Sequence, residues 1–202
     1  MHERTLIVIK PDAVKRALVG KIFQRFEDVG LKLLACKMIR PTREEIDSNY
    51  PHTEEWYKGM GEKVLANIKD SELDAMTELG TEDPLKLGRM IGEKIVDYWL
   101  EGPVIASVWG GNHAIKVARK IRGFTVPALA DAGTILGDYS SDSSTRALKE
   151  GRTGRTFIHA SGDQDEAKRE IEHWFGKDAQ LFEDYDRVDH LATFIQNVWN
   201  EQ

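Results

Sequence analysis

His159 is the residue whose setting invites chemistry most directly. It closes a short apolar run, Thr156 to His159, and stands just ahead of a segment with clear helix-start signals. Ser161 and Gln164 have capping-box spacing, and Asp163, Asp165 and Glu166 crowd the first turn, where carboxylates complement the helix dipole. A helix start also offers free backbone N–H groups that favour anions. An unperturbed imidazole has a pKa of ~6.5, so near neutrality it is mostly uncharged and nucleophilic. Attack on a terminal phosphate would give a phosphohistidine and split one transfer into two steps with ping-pong kinetics. The competing reading is a structural histidine satisfied by hydrogen bonds, the commoner case for a lone histidine judged by position.

Cations for such a phosphate are available. Lys10 ends the first apolar run, TLIVIK, and can act as a point charge on a transferred phosphate. As an isolated residue it reads equally as a lysine reaching solvent from a strand end. Arg119 and Arg122 fall on the polar side of a helical pattern, where a solvated face is the ordinary reading.

The elements that must position these groups follow from periodicity. Thr5 to Lys10 predicts a strand buried on both sides and closed by Pro11. Ile22, Phe23, Phe26 and Val29 give a helix over about Val19–Asp28, stopped by Gly30, and Leu31 to Met38 gives a second strand. A polar helix after Pro41 runs to Tyr50 and is broken by Pro51. Helical patterns recur near Glu62–Ile68 and from about Pro84 to Leu100. Val104 to Trp109 is a third buried strand, followed by a helix to Arg122 with Asn112 as its N-cap. Phe124 to Gly154 is loop-rich, and loops of that length usually carry function or contacts. Thr156 to His159 is a last short strand, leading into a helix whose apolar face is Ala167, Ile171, Trp174 and Phe175. A tail from about residue 181 holds a final helical pattern near Leu191–Trp199. Without the middle helices the order is βαββαβ, the ferredoxin-like α+β arrangement of an antiparallel sheet with helices on one face.

Composition narrows the function. A net charge of −6 argues against a general nucleic-acid binder, so any cations must be gathered in a pocket. No apolar run approaches the ~20 residues that span a bilayer. Cys36 is the only cysteine, which rules out an intrachain disulfide and favours a cytoplasmic setting.

Four blocks then resemble one known family in the correct order. ERTLIVIKPDAVKRALVGKIFQRFEDVGLKL is similar to the opening of nucleoside diphosphate kinases, GPVIASVWGGNHAIKVARKIRGFT and GTILGDYSSDSS to their middle, and TFIHASGDQDEAKREIEHWF to their active-site segment. The resemblance implies transfer of the γ-phosphate of a nucleoside triphosphate to a nucleoside diphosphate. His159 matches the family's phosphorylated histidine, Glu170 the glutamate that orients it, and Ser161 the serine that holds the glutamate. Lys10, Tyr50 and Arg119 match phosphate-site residues, Thr125 a threonine on the phosphate chain, and Trp56 the aromatic on which the base stacks. Stacking tolerates every base, which suits such an enzyme. The family implies Mg²⁺ carried by the nucleotide phosphates, with no protein metal site, and a homo-oligomer, a hexamer or tetramer. No membrane or specific nucleic-acid partner is expected.

Three departures stand out. Leu136 occupies the place of a phosphate-contacting arginine, with Arg146, Arg152 and Arg155 nearby as possible substitutes. Thr156 replaces an asparagine near the ribose and phosphate. The segment from about 61 to 100 is longer than in compact members, which implies a helical insertion within one domain. Loss of the arginine leaves open a second class of function: a nucleotide-sensing or scaffolding protein of the same fold with weakened turnover. Phosphate relay to a protein is a third, which nothing in the sequence favours.

Overall fold

The first apolar run becomes the centre of a sheet. The computed structural model describes residues 2–70 and 74–176. Its four antiparallel strands are β1 (His2–Ile9), β2 (Lys32–Ile39), β3 (Val104–Asn112) and β4 (Ile158–Ala160), in the order β2-β3-β1-β4. This is the ferredoxin-like order. The tail and the helical pattern at 191–199 lie outside the described residues.

Helices cover both faces of the sheet, which explains why β1 reads as continuously apolar rather than alternating. Ile7 and Ile9 face one core with Ala13 of α1 (Pro11–Lys15), Ile22 and Phe26 of α2 (Val19–Glu27) and Ala114 and Ala118 of α7 (Ala114–Arg122). The two crossover helices, α2 and α7, meet the expectation of helices on one face. Leu6 and Val8 face a second core, closed by Ile46, Val96, Trp99, Ile171 and Trp174. Those side chains come from α3 (Arg43–Ser48), α6 (Pro84–Leu100) and α10 (Gln164–Phe175). The second face is therefore not left to solvent.

Several boundaries differ from the sequence reading. Asn112 does not cap α7: it is the last residue of β3, and His113 takes the N-cap position in a left-handed conformation without a side-chain cap. Ser161 does not cap α10 either. Asp163 does, accepting from the Glu166 N–H at 2.8 Å, because the chain between β4 and α10 runs two residues further before turning. A capping box does form, at Thr42 and Glu45 ahead of α3. The loop-rich stretch contains a 3₁₀ turn (Pro127–Leu129) and two short helices, α8 (Ile135–Tyr139) and α9 (Ser144–Lys149).

The middle of the chain holds α4 (Glu54–Asp70), the short α5 (Ala75–Leu79) and α6. Helix α4 starts well before the Glu62–Ile68 pattern, opening with Glu54 and Glu55, favourable at a helix N-terminus. It lies against α6 with backbone nearly touching backbone. A Cβ at Gly88 would overlap the Tyr57 carbonyl, and one at Gly61 would overlap the Pro84 carbonyl. Only glycine permits that approach.

Candidate active site

Alternation along β4 decides where His159 points. Ile158 and Ala160 enter the first core, so His159 between them turns to the other face, beside Trp99, whose ring centroid is 6.3 Å away. Across the sheet His159 pairs with Val8, two residues before Lys10. The chain reaches this position through a strained residue. Phe157 has φ of 50°, and the Ile158 N–H closes a tight turn onto the Thr156 carbonyl. A left-handed aromatic residue costs on the order of 1–3 kcal/mol and persists only where its surroundings hold it. The Phe157 carbonyl accepts from Lys10 N–H at 2.7 Å, and its N–H donates to the Tyr98 hydroxyl at 3.3 Å.

A chain of hydrogen bonds fixes the imidazole. Leu6 N–H donates to Ser161 Oγ at 3.2 Å, Ser161 Oγ donates to Glu170 Oε2 at 2.7 Å, and Glu170 Oε1 lies 2.8 Å from His159 Nε2. Glu170 is buried at 2% exposure. Burial alone would push its carboxyl up, but the bonds from His159 and Ser161 outweigh that and hold it below its ordinary value. An ionised carboxylate accepts, so Nε2 carries the hydrogen and Nδ1 keeps its lone pair. Ser161, read from sequence as a possible cap, is instead the brace of this relay.

Lys10 stands at the head of an adjoining cleft of about 580 Å³, which Tyr50, Thr125 and Thr156 also line. Its ammonium donates to Thr156 Oγ1 at 2.7 Å and lies 5.1 Å from the ring centroids of both Tyr98 and Trp99. Loss of water around it lowers its pKa to about 8, with Asp12 opposing and Arg122 adding to the shift. The Tyr50 hydroxyl accepts from Trp99 Nε1 at 2.9 Å, and burial pushes its phenol up. The opposite wall comes from Val64 of α4 and Ile91 and Ile95 of α6, which makes one side of the cleft apolar.

Two sequence candidates are placed elsewhere. Trp56 is not among the residues lining the cleft. It stacks in an aromatic group at the start of α4, with ring centroids 5.2 Å from Tyr50 and 5.0 Å from Tyr57. Arg119 is exposed and lines a separate recess with Lys116, Gly162 and Gln164. Three residues carry more than the sequence suggested. Tyr98, read as part of an apolar helix face, receives the Thr156 and Phe157 N–H groups and donates to Asp12 Oδ1 at 2.6 Å. Glu166 brings a carboxylate oxygen within 4.8 Å of the His159 and Glu170 donor atoms and accepts from Gly162 N–H at 2.6 Å. Arg122 donates to Thr125 Oγ1. A serine-type cap signal and helical periodicity could not reveal any of these, because each depends on which elements meet.

The departures have structural counterparts. Leu136 is fully buried in the first core, so its position faces hydrophobic packing. Arg152 is clamped on Asp142 at 2.7 and 2.8 Å, Arg155 pairs with Glu101 at 2.7 Å, and exposed Arg146 pairs with Glu150 at 2.9 Å. All three loop arginines are therefore engaged by carboxylates.

The family model described as nucleoside diphosphate kinase matches residues 3–73 and 86–180. The chain belongs to the nucleoside diphosphate kinase family. It is 44% identical over 179 residues to the nucleoside diphosphate kinase of Pyrobaculum aerophilum, an alignment covering 89% of this chain and 98% of the relative. The crystal structure of an NDP kinase from Pyrobaculum aerophilum superposes with a TM-score of 0.84 at 42% identity, again over 89% and 98% of the two chains. A second structure, the Borrelia burgdorferi nucleoside-diphosphate kinase in a transition-state mimic with bound vanadate and ADP, gives 0.69 at 29% identity, covering 88% and 89%. Membership makes this chain a phosphotransferase of nucleotide metabolism, with nucleotides as substrates. Among the described residues no helix is long and apolar enough to cross a membrane. The family model passes over residues 74–85, the region of α5 and its connection to α6.

Proposed function

We propose that this nucleoside diphosphate kinase works by ping-pong transfer through a phosphohistidine at His159 Nδ1. The observation that carries the reading is the relay Leu6–Ser161–Glu170–His159, which ends on an imidazole with one nitrogen hydrogen-bonded and the other open. The Nδ1 lone pair forms the bond to phosphorus while the bond from phosphorus to the bridging β–γ oxygen breaks, its electrons leaving on the diphosphate. Glu170 stabilises the positive charge that develops on the ring. A second nucleoside diphosphate then attacks the phosphohistidine through its terminal oxygen, and the N–P electrons return to Nδ1. Lys10 stabilises the equatorial oxygens in both directions, and Thr156 holds its ammonium in place. Tyr50 and Thr125 complete the polar side of the cleft. The base lies against the apolar α4–α6 wall.

In this reading the nucleotide would carry Mg²⁺, whose contribution when bound would be to neutralise phosphate charge. Among the described residues Asp142 is the one carboxylate lining the cleft, and it is already committed to Arg152 and to the Arg155 N–H. The protein would therefore leave the ion to phosphate oxygens and water, as is usual for it. The protein acts as a homo-oligomer, a hexamer or tetramer, in the cytoplasm. The lone exposed Cys36 and the apolar side chains open on the surface, such as Met38 and Leu129, support that setting and that assembly.

The experiment is incubation with γ-labelled ATP, an acid-labile, alkali-stable phosphate assay, and a chase with unlabelled GDP. Label on the wild-type protein that chases into GTP and is absent from His159→Ala is the expected result. Full turnover by His159→Ala would sink the mechanism. The buried Leu136 and the engaged loop arginines favour a second reading, a nucleotide sensor of the same fold with weakened turnover. Tight nucleotide binding with no label on the wild type would select it.

A further inference from the structure

Resting on that reading of the cleft, we propose that Arg122 is a phosphate-contacting residue that supplies the guanidinium charge missing at Leu136. Arg122 is the last residue of α7 and is half-buried. Two of its donors are engaged by neutral oxygens: Nη2 by Thr125 Oγ1, and Nε by the Gly123 carbonyl at 3.3 Å. Arg25, Arg152 and Arg155 are also half-buried, and each grips a carboxylate. Arg122 has no carboxylate within ion-pair distance among the described residues.

Its surroundings add to that imbalance. Burial, and next to it the charge of Arg119, lower the Arg122 pKa to about 10, with Glu166 as the opposing carboxylate. Arg122 in turn lowers the pKa of Lys10, which only Asp12 supports. Arg122 thus reaches the cleft through Thr125, which lines it together with Lys10, and it carries a charge that no adjacent carboxylate among the described residues offsets. Burying a guanidinium without an ionic partner is unfavourable in the free protein. A polyphosphate chain laid from Lys10 to Thr125 relieves it, and a guanidinium held by Thr125 is ready to meet phosphate in bidentate fashion. Position matters as well. Arg119 faces the separate recess, whereas Arg122, the last residue of α7, is turned onto Thr125 of the cleft wall.

The test compares Arg122→Gln, Arg122→Lys and Arg146→Gln in the full chain. Calorimetry gives affinities for adenosine, ADP and ATP, and a coupled assay gives kcat/KM for GDP with ATP as donor. Arg122→Gln should weaken ADP and ATP by roughly ten- to a hundredfold while leaving adenosine unchanged, the size of a lost charge-assisted bond. Arg122→Lys should recover part of the loss, and Arg146→Gln should match wild type. Unchanged ADP affinity in Arg122→Gln overturns the proposal. So does an equal loss for adenosine, which would mean that only the Gly123–Thr125 turn had moved. Should Arg122→Gln fail to fold, Arg122→Lys is decisive: undiminished ADP affinity and kcat/KM with a point charge in place of the fork would overturn the bidentate contact. A wild type that binds ADP but transfers no phosphate refutes the mechanism above, and the ADP comparison still decides Arg122.

Discussion

The two halves of the site are built by opposite means. The His159 half is a linear relay in which every member is fixed by a directed bond: a β1 N–H, a hydroxyl, a buried carboxylate and an imidazole. The far wall of the cleft has no such chain. It stands because α4 and α6 approach until glycine meets carbonyl, and it presents aliphatic side chains. Directed bonds fix which way a lone pair points, which chemistry at phosphorus requires. Close packing sets only a distance, which suffices for an apolar base. Precision is concentrated where a bond is made.

Perturbations at four positions test that division. The largest effect belongs to the relay. Glu170→Gln can still accept from Ser161, but its amide N–H₂ turned towards Nε2 would force the ring hydrogen onto Nδ1, so turnover should fall by roughly 10²–10⁴-fold with little change in Tm. Glu170→Ala should add a stability loss of about 1–3 kcal/mol, because Ser161 and His159 lose a buried partner. Retained turnover in either would dissolve the contrast. Next comes the wall: Gly88→Ala forces α4 from α6 and should cost about 1–3 kcal/mol or more. Calorimetry should show weaker nucleotide binding, while single-turnover labelling at saturating ATP stays near wild type. Slowed labelling at saturation would show that the wall also aligns the phosphate.

A smaller, graded effect comes from Lys10. Its pKa near 8 means that its charge is lost as pH rises through that value, so kcat/KM should decline above about pH 8. Stability should move the other way. Between about 8 and 10.5 the unfolded chain holds this proton more strongly than the folded one, so the Lys10 contribution grows with pH. Lys10→Arg, which does not titrate there, should lower activity yet flatten its profile above pH 8. The smallest effect is Arg146→Gln, which breaks an exposed pair with Glu150 and should leave Tm and turnover unchanged.

How far the sequence disclosed all this follows the same division. Elements with a strong period, β1, α2, β3 and α10, were legible, and so was the ferredoxin-like order. His159 and Lys10 were legible as candidates because each closes an apolar run in the sequence. Glu170 and its role came only through resemblance, since eleven residues of separation say nothing about contact until β4 and α10 are packed. Trp56 was named only through resemblance as well: its ring stacks with Tyr50, which lines the cleft, and with Tyr57, and spacing alone could not show that grouping. Asn112 and Ser161 are good cap formers, yet neither caps. The longer β3 claimed the first, and the relay claimed the second. Local propensity loses wherever a tertiary bond is worth more.

The contact between α4 and α6 has a consequence for how such a chain can diversify. Because Gly61 is seated on Pro84 and Gly88 on Tyr57, the spacing of the two helices is set at points flanking the chain that joins them. Neither approach involves the residues between 70 and 84, so a change of length there should leave Ile91 and Ile95 in place over the cleft. The family model is interrupted in that interval, at 74–85, and resumes on α6. Gly61 and Gly88 have no such freedom: the fold should accept a change of length between the helices more readily than a methyl group at either glycine.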